Sequence, residues 1–516
     1  MKKFLYTFLV LLVTFSAKSS ELVELKLYKS DIVVIKLMFK NGSMSDPKGK
    51  EGLTALTANT IAEGGTKDMT STQLKDKIYP WAAYYGVTVD KEVSIFTFSV
   101  HKDHLDKFYP ILRDLILSPR FDEEDFNRVK SNQQNYIDEV IRTSSDEEYS
   151  KKALEDFLFR GTPYQHTISG TTEGVKSCTL SDVKDQYVRF FNKTNLTIGI
   201  AGNYSDDFLK MMKAELDRLP ESKEPPVETV RPRIPNGIEV EIISKDNALG
   251  SAIFMGFPMN ITRSNDQFAA LMIANSWLGE HRKSYSRLYQ KIREQRSMNY
   301  GDYSYIEWYN NGGSNMLPRA GYPRSSNYFS MWLRPVQTAK GLKGQYPELN
   351  EIEIGHAHFA IRMAMHELSE LITNGISRED FNLTKQFLRS YVKLYAQSPE
   401  QQLGYLMDSK FYHRQNWLKD LDMLLEQCTQ DQVNNAIKEN LQAQNMYITI
   451  VTDKSEAIPL ARSLRDNLNS PLAYSNVLKS VLTEEILVED KIVADFPLNV
   501  TKVTIVESND TFRKEE

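Results

Sequence analysis

Three short stretches of this chain occur twice, in the same order and at nearly the same spacing. Glu124-Asp125-Phe126-Asn127 returns 255 positions later as Glu379-Asp380-Phe381-Asn382. Cys178-Thr179 with Val183 returns 250 positions later as Cys428-Thr429 with Val433, and strand-like Leu196-Thr197-Ile198-Gly199-Ile200 is matched by Met446-Tyr447-Ile448-Thr449-Ile450, again at 250. Shared order and shared spacing argue for two copies of one folding unit, against coincidence among common helix ends. A stretch rich in Pro and Glu (PESKEPPVETVRPRIP) has the composition of a linker. The resulting division is a leader over 1–20, a first unit over 21–220, a linker over 221–236, a second unit over 237–470 and an extension over 471–516. The extension holds a strand-like run at Val503–Val506 and a charged end, and the repeat assigns it no place.

Within the first unit, apolar runs at 22–28 and 32–39 read as strands, and the pattern predicts a helix over 71–86 and a strand pair over 87–100. Leu105, Phe108, Ile111, Leu112 and Leu115 have helical spacing, and a long polar helix is predicted from Glu123 to Arg142. Strands in adjacent pairs among long helices imply an α+β fold: two tandem homologous units, each a mostly antiparallel sheet packed against long helices.

The 516 residues, 41% hydrophobic and 25% charged, hold enough apolar material for more than one core. A net charge of −5 supplies no basic field, so no nucleic-acid partner is expected. Residues 1–20 read as a secretory signal: Lys2-Lys3, the apolar stretch Phe4–Phe15, and the small-residue site Ala17-Lys18-Ser19. That stretch is too short to span a bilayer stably, and no later segment is long enough, so an exported protein without stable membrane insertion is expected, with the periplasm as its compartment. Two cysteines, Cys178 and Cys428, are too few for a disulfide scaffold, and their pairing is left open.

Gly52–Thr66 (GLTALTANTIAEGGT) has Leu53, Leu56, Thr60 and Ile61 at helical spacing between Gly52 and Gly64-Gly65. This framing resembles the zinc helix of the pitrilysin/insulinase family of inverted-motif metallopeptidases, which reads roughly G-L-A-H-F-L-E-H-M-x-F-x-G-T. On that pattern Ala55 stands for the first His, Ala58 for the general-base Glu and Asn59 for the second His. A zinc site of this kind needs two imidazoles a helical turn apart and a carboxylate to take a proton from bound water. The family's third ligand is a Glu on a helix with the register of Phe121-Asp122-Glu123-Glu124-Asp125-Phe126-Asn127-Arg128. It falls here on Asn135, and a slip of one residue would reach Tyr136. The resemblance therefore implies no zinc in this chain. His101 with His104, and His356 with His358, His366 and Glu367, read as solvated or hydrogen-bonded groups.

His281–Trp308 resembles the family's second-unit motif S-R-L-x-x-x-x-R-E-x-x-G-L-x-Y-x-x-x-S-Y. A helix is predicted over 283–295, followed by a strand with Tyr300, Asp302, Ser304 and Ile306 on one face. The resemblance assigns substrate binding to Arg293 and Tyr300, with Glu294 in place and Ser297 where the family has Gly. A guanidinium fork and a phenol suit that role, and donors beside a developing oxyanion contribute about 3 kcal/mol each.

The resemblance thus implies an inactive subunit that grips an unfolded peptide and works with a homologous zinc-bearing peptidase subunit, the zinc residing in that partner. A peptide-binding or structural chamber without a peptidase partner is the alternative. An autonomous enzyme using another catalytic set ranks last, because no Ser–His–Asp or Cys–His set presents itself.

Overall fold

The computed structural model describes residues 20–222, 229–248, 250–307 and 317–515. The leader up to residue 19, linker residues 223–228, Trp308 and the glycine pair at 312–313 lie outside the described residues.

The duplication is visible as two sheets of one design. The first joins β1 (Glu21–Lys26), β2 (Ile32–Phe39), β3 (Tyr84–Val89), β4 (Ser94–His101) and β5 (Leu196–Gly202) in the order β1-β5-β2-β4-β3. The second joins β6 (Ile238–Lys245), β7 (Gly250–Met259), β8 (Asp302–Tyr305), β9 (Asn327–Gln337) and β10 (Met446–Asp453) in the order β6-β10-β7-β9-β8. In both, the unit's first strand pairs parallel with its last, β1 with β5 and β6 with β10, and the remaining pairs are antiparallel. The extension adds β11 (Val500–Glu507) to the second sheet, parallel to β6 with Val503 opposite Val240.

Each sheet is covered on both faces, which explains near-continuous apolar strands in place of strict alternation. In β2, Val33, Ile35, Leu37 and Phe39 pack with helices Leu105–Leu117 and Asp206–Leu216 of the same unit. Val34 and Met38, on the opposite face, meet Leu403 and Met407 of helix Pro399–Phe411, which belongs to the second unit. The exchange is reciprocal. Helix Asp146–Phe159 of the first unit lays Leu154, Phe157 and Leu158 against Phe254, Trp332 and Tyr447 of the second sheet. Each such fully buried side chain contributes roughly 1.5–3 kcal/mol.

A buried ion cluster reinforces the exchange. Arg324 of the second unit donates to both carboxylate oxygens of Asp90, at 2.6 and 2.8 Å, and to Glu155. Burial opposes ionisation of Glu155, but the charges of Arg324 and Lys91 overcome it and hold its carboxyl at about 2. Cys178 and Cys428 are both buried free thiols, each in its own unit. Among the described residues no helix is long and apolar enough to cross a membrane.

Several boundaries differ from the pattern reading. The helix expected over 71–86 ends at Ile78, because Ala82 turns left-handed at φ 47° and the chain enters β3 at Tyr84. The polar helix from Glu123 changes at Asn135 into a π-helix, Tyr136–Ser144.

Candidate functional site: a zinc helix without ligands and an arginine turn

Helix Leu53–Glu63 begins at Gly52, whose φ of 104° suits glycine and where an added Cβ would lie 2.5 Å from the Ser169 carbonyl oxygen. Gly52 has no side chain to cap the helix, so Asp46 does so from outside, accepting from the backbone N–H of Gly52 at 2.6 Å and of Thr54 at 2.7 Å. Thr57 and Thr60 turn their hydroxyls back onto the carbonyls of Leu53 and Leu56, which lets them lie buried. The helix is nearly enclosed, and only Asn59 and Glu63 are half-buried.

The zinc positions do not fit a metal. Ala58 is fully buried in the apolar core with Ile61, Leu37 and Phe39, and Ala55 is 5% exposed. Asn59 lines an open cleft of about 380 Å³ between the helix and edge strand β3, beside Glu63, Lys75 and Tyr85. Glu63, the carboxylate on this cleft, is held by Arg128, which donates to its side chain at 2.8 Å and to its backbone carbonyl at 3.1 Å. Asn135 is exposed at the start of the π-helix, as is Tyr136. The helix carrying Asn135 is tied to the start of helix Leu53–Glu63 by Gln133, which donates to the Gly52 and Ser169 carbonyls at 2.9 Å. The positions that match zinc ligands and base hold methyl groups and amides. Among the described residues no group of three or more His, Cys, Asp or Glu could hold a metal ion.

Three of the other histidines named in the sequence have hydrogen-bond partners. His356 Nε2 meets the Ala473 carbonyl oxygen at 2.9 Å, and His358 Nδ1 meets Ser463 Oγ at 3.3 Å. His101 Nδ1 accepts from the Asp103 backbone at 3.3 Å.

The second-unit motif differs in its helix. In place of the helix expected over 283–295, Arg282 turns left-handed at φ 55°, turns run up to Ser286, and a π-helix follows at Tyr289–Glu294. Arg293 is half-exposed on that helix, its guanidinium 4.7 Å from the Tyr289 ring centroid and 3.9 Å from Glu294. Ser297, in place of the family's glycine, still adopts the left-handed conformation at φ 53°, and its N–H closes onto the Arg293 carbonyl at 2.7 Å. Tyr300 follows this turn and is 77% exposed. It precedes β8 instead of sharing a strand face with Asp302 and Ser304, which are buried.

Sequence reasoning missed Asn299, which makes that turn. Its side chain donates to Asp302 at 2.7 Å and to the Arg334 carbonyl at 3.0 Å, and accepts from the Gly301 N–H at 3.1 Å. The signal was the Asn two residues before Gly, a turn former. Burial raises the Asp302 carboxyl well above the carboxylate range, with Arg293 and Arg334 acting in the opposite sense.

Two family profiles match the chain. "Insulinase (Peptidase family M16)" covers residues 23–172 and "Peptidase M16 inactive domain" covers residues 177–388. A Helicobacter pylori protein described as a non-peptidase homolog, YmxG, is 27% identical over 320 residues, 59% of this chain and 71% of its own. The crystal structure of a peptidase M16 inactive domain from Pseudomonas fluorescens superposes with a TM-score of 0.70 at 18% identity, over 85% of this chain and 96% of that one. A chain of Complex III2 from Candida albicans superposes with a TM-score of 0.66 at 12% identity, over 83% and 93%. With both profiles laid end to end along the duplicated fold, and alanine and asparagine at the zinc positions, the chain belongs to the insulinase family, peptidase family M16, as an inactive homologue.

Proposed function

We propose that this protein is an exported, non-catalytic subunit of an insulinase-type zinc peptidase, which holds unfolded peptide through Arg293 and Tyr300 while a homologous subunit bearing H-x-x-E-H brings the zinc. The observation that carries this reading is an asymmetry of burial. The zinc-helix positions Ala55 and Ala58 are closed into apolar packing, whereas Arg293 and Tyr300 stand open to solvent on a shaped turn. Arg293 offers a fixed fork of donors to peptide carbonyls, and Tyr300 one further donor. The cleft between helix Leu53–Glu63 and the unpaired edge of β3 leaves room for an extended chain. The presence of this fold in a chain of Complex III2 supports a role inside an assembly. Export rests on the leader at 1–20 and places the complex in the periplasm.

The test is reconstitution with the H-x-x-E-H homologue of the same organism. Peptide cleavage appears on mixing, and Arg293→Ala lowers it about 100-fold or more. Equal cleavage with and without this chain removes the catalytic-assembly reading. If the chain instead binds unfolded peptide with no such partner, it is a peptide-holding chamber.

A further inference from the structure

The extension contributes more than an added strand. Helix Glu484–Ala494 lies against the segment that carries Arg293 and takes up the basic side chains on either side of it. Glu489 accepts from Lys291 Nζ at 2.5 Å and from Arg296 Nη2 at 2.7 Å. Asp490 accepts from Arg296 Nε at 2.7 Å and from the Tyr474 hydroxyl at 2.8 Å. Arg296 is 1% exposed, and its remaining donors reach the Lys291 carbonyl and the Gln295 side chain. Upstream, Arg287 donates to the fully buried Glu367 at 2.5 Å. Of the four basic residues between 287 and 296, three are thus committed to buried or half-buried carboxylates. Arg293, with Glu294 at 3.9 Å, is left open.

We propose that helix Glu484–Ala494 is the positioning element of the peptide grip, with Glu489 and Asp490 fixing Lys291 and Arg296 so that the segment between them presents Arg293 in one geometry. This rests on the reading of Arg293 as the peptide-holding residue. The physical need is twofold. Lys291, Arg293 and Arg296 crowd three positive charges into six residues, and the two carboxylates neutralise the outer pair. Arg296 is also a buried cation, costly unless paired, so the pairing locks the segment to the helix. A grip built on one guanidinium depends on its position, since small misplacements erase oriented binding. Burial opposes ionisation of Glu489, and the bonds from Lys291 and Arg296 overcome it, holding its carboxyl below the usual range.

The experiment uses the full mature chain with fluorescein-labelled casein, an unfolded polypeptide, followed by anisotropy, together with hydrogen–deuterium exchange. Glu489→Gln keeps the side-chain shape and removes the charge. It avoids the folding failure that the double alanine variant at 489 and 490 invites. Exchange across 289–300 rises roughly tenfold in Glu489→Gln while helix Ala357–Asn374 stays protected, and casein affinity falls roughly tenfold. In an Arg293→Ala background the same substitution leaves affinity where Arg293→Ala alone puts it, because the effect runs through Arg293. Unchanged exchange across 289–300 overturns the proposal. So does an affinity loss that persists in the Arg293→Ala background, which a merely structural role would give. If Arg293→Ala binds casein as tightly as the parent, the assignment of Arg293 fails, and exchange alone still decides whether Glu489 holds the segment.

Discussion

Lys130 Nζ donates to the Cys178 carbonyl oxygen at 2.7 Å, and 255 positions further on Lys385 Nζ donates to the Cys428 carbonyl oxygen at the same distance. Each ammonium also reaches a second carbonyl two residues earlier, Lys176 or Glu426, at 2.8 Å. Each lies near the ring of the Phe on its own helix, Phe126 at 5.8 Å or Phe381 at 5.5 Å. The device closes the open end of one helix just before Thr179 or Thr429 caps the next. Lys130→Met and Lys385→Met are each expected to cost about 0.5–1.5 kcal/mol in urea unfolding, because each removes the donor to one part-buried and one exposed carbonyl. The double variant loses close to the sum, since the two sites share no partner.

That repetition is why the architecture was legible in the sequence. The matched pentapeptides 196–200 and 446–450 lie in β5 and β10, which occupy the same place in their sheets. The exchange of helices Asp146–Phe159 and Pro399–Phe411 was not legible, because an apolar helix face records that it is covered and not by which sheet. For the same reason Val503–Val506 read as strand-like without an address, which β6 supplies. At the site, Ala55, Ala58, Asn59 and Asn135 were assigned by laying the family's zinc pattern on the sequence. The geometry of Tyr300 could not be assigned that way, since it depends on the Asn299 bonds to Asp302, Gly301 and Arg334.

Ser297 occupies a left-handed conformation that a side chain resists. Ser297→Gly relieves that cost and is expected to stabilise the chain by about 0.5–1 kcal/mol, net of the added freedom of the unfolded state. The urea midpoint reads the change. A destabilised variant would mean that the serine side chain holds the turn.

Restoring the general base by itself does not restore chemistry. Ala58 is fully buried among Ile61, Leu37 and Phe39, so Ala58→Glu places a carboxylate in apolar core. It is expected to cost about 3 kcal/mol or more in thermal or urea unfolding, with no gain of peptidase activity.

His166 ties the extension to the first unit. Its ring meets Asp46 at 3.1 Å and Glu515 at 2.5 Å, beside the cap of the zinc-type helix. Burial opposes protonation, but the bonds to Asp46 and Glu515 prevail and raise the ring to about 9. The folded value lies above the ordinary one of about 6.5, so the stabilisation is complete below pH 6.5 and is lost as pH rises through 9. Its full size is on the order of 3 kcal/mol. Exchange across 508–515 is expected to increase from pH 6.5 to 9 after correction for intrinsic rates, and to show no such step in His166→Gln.

The most direct test of the account is the metal content and peptidase activity of the purified mature chain. Ala55, Ala58, Asn59 and Asn135 give zinc neither ligands nor a base. Elemental analysis after dialysis should find no tightly held zinc, and unfolded casein should survive incubation with the protein alone. One zinc per chain together with cleavage of casein unaided would contradict the account.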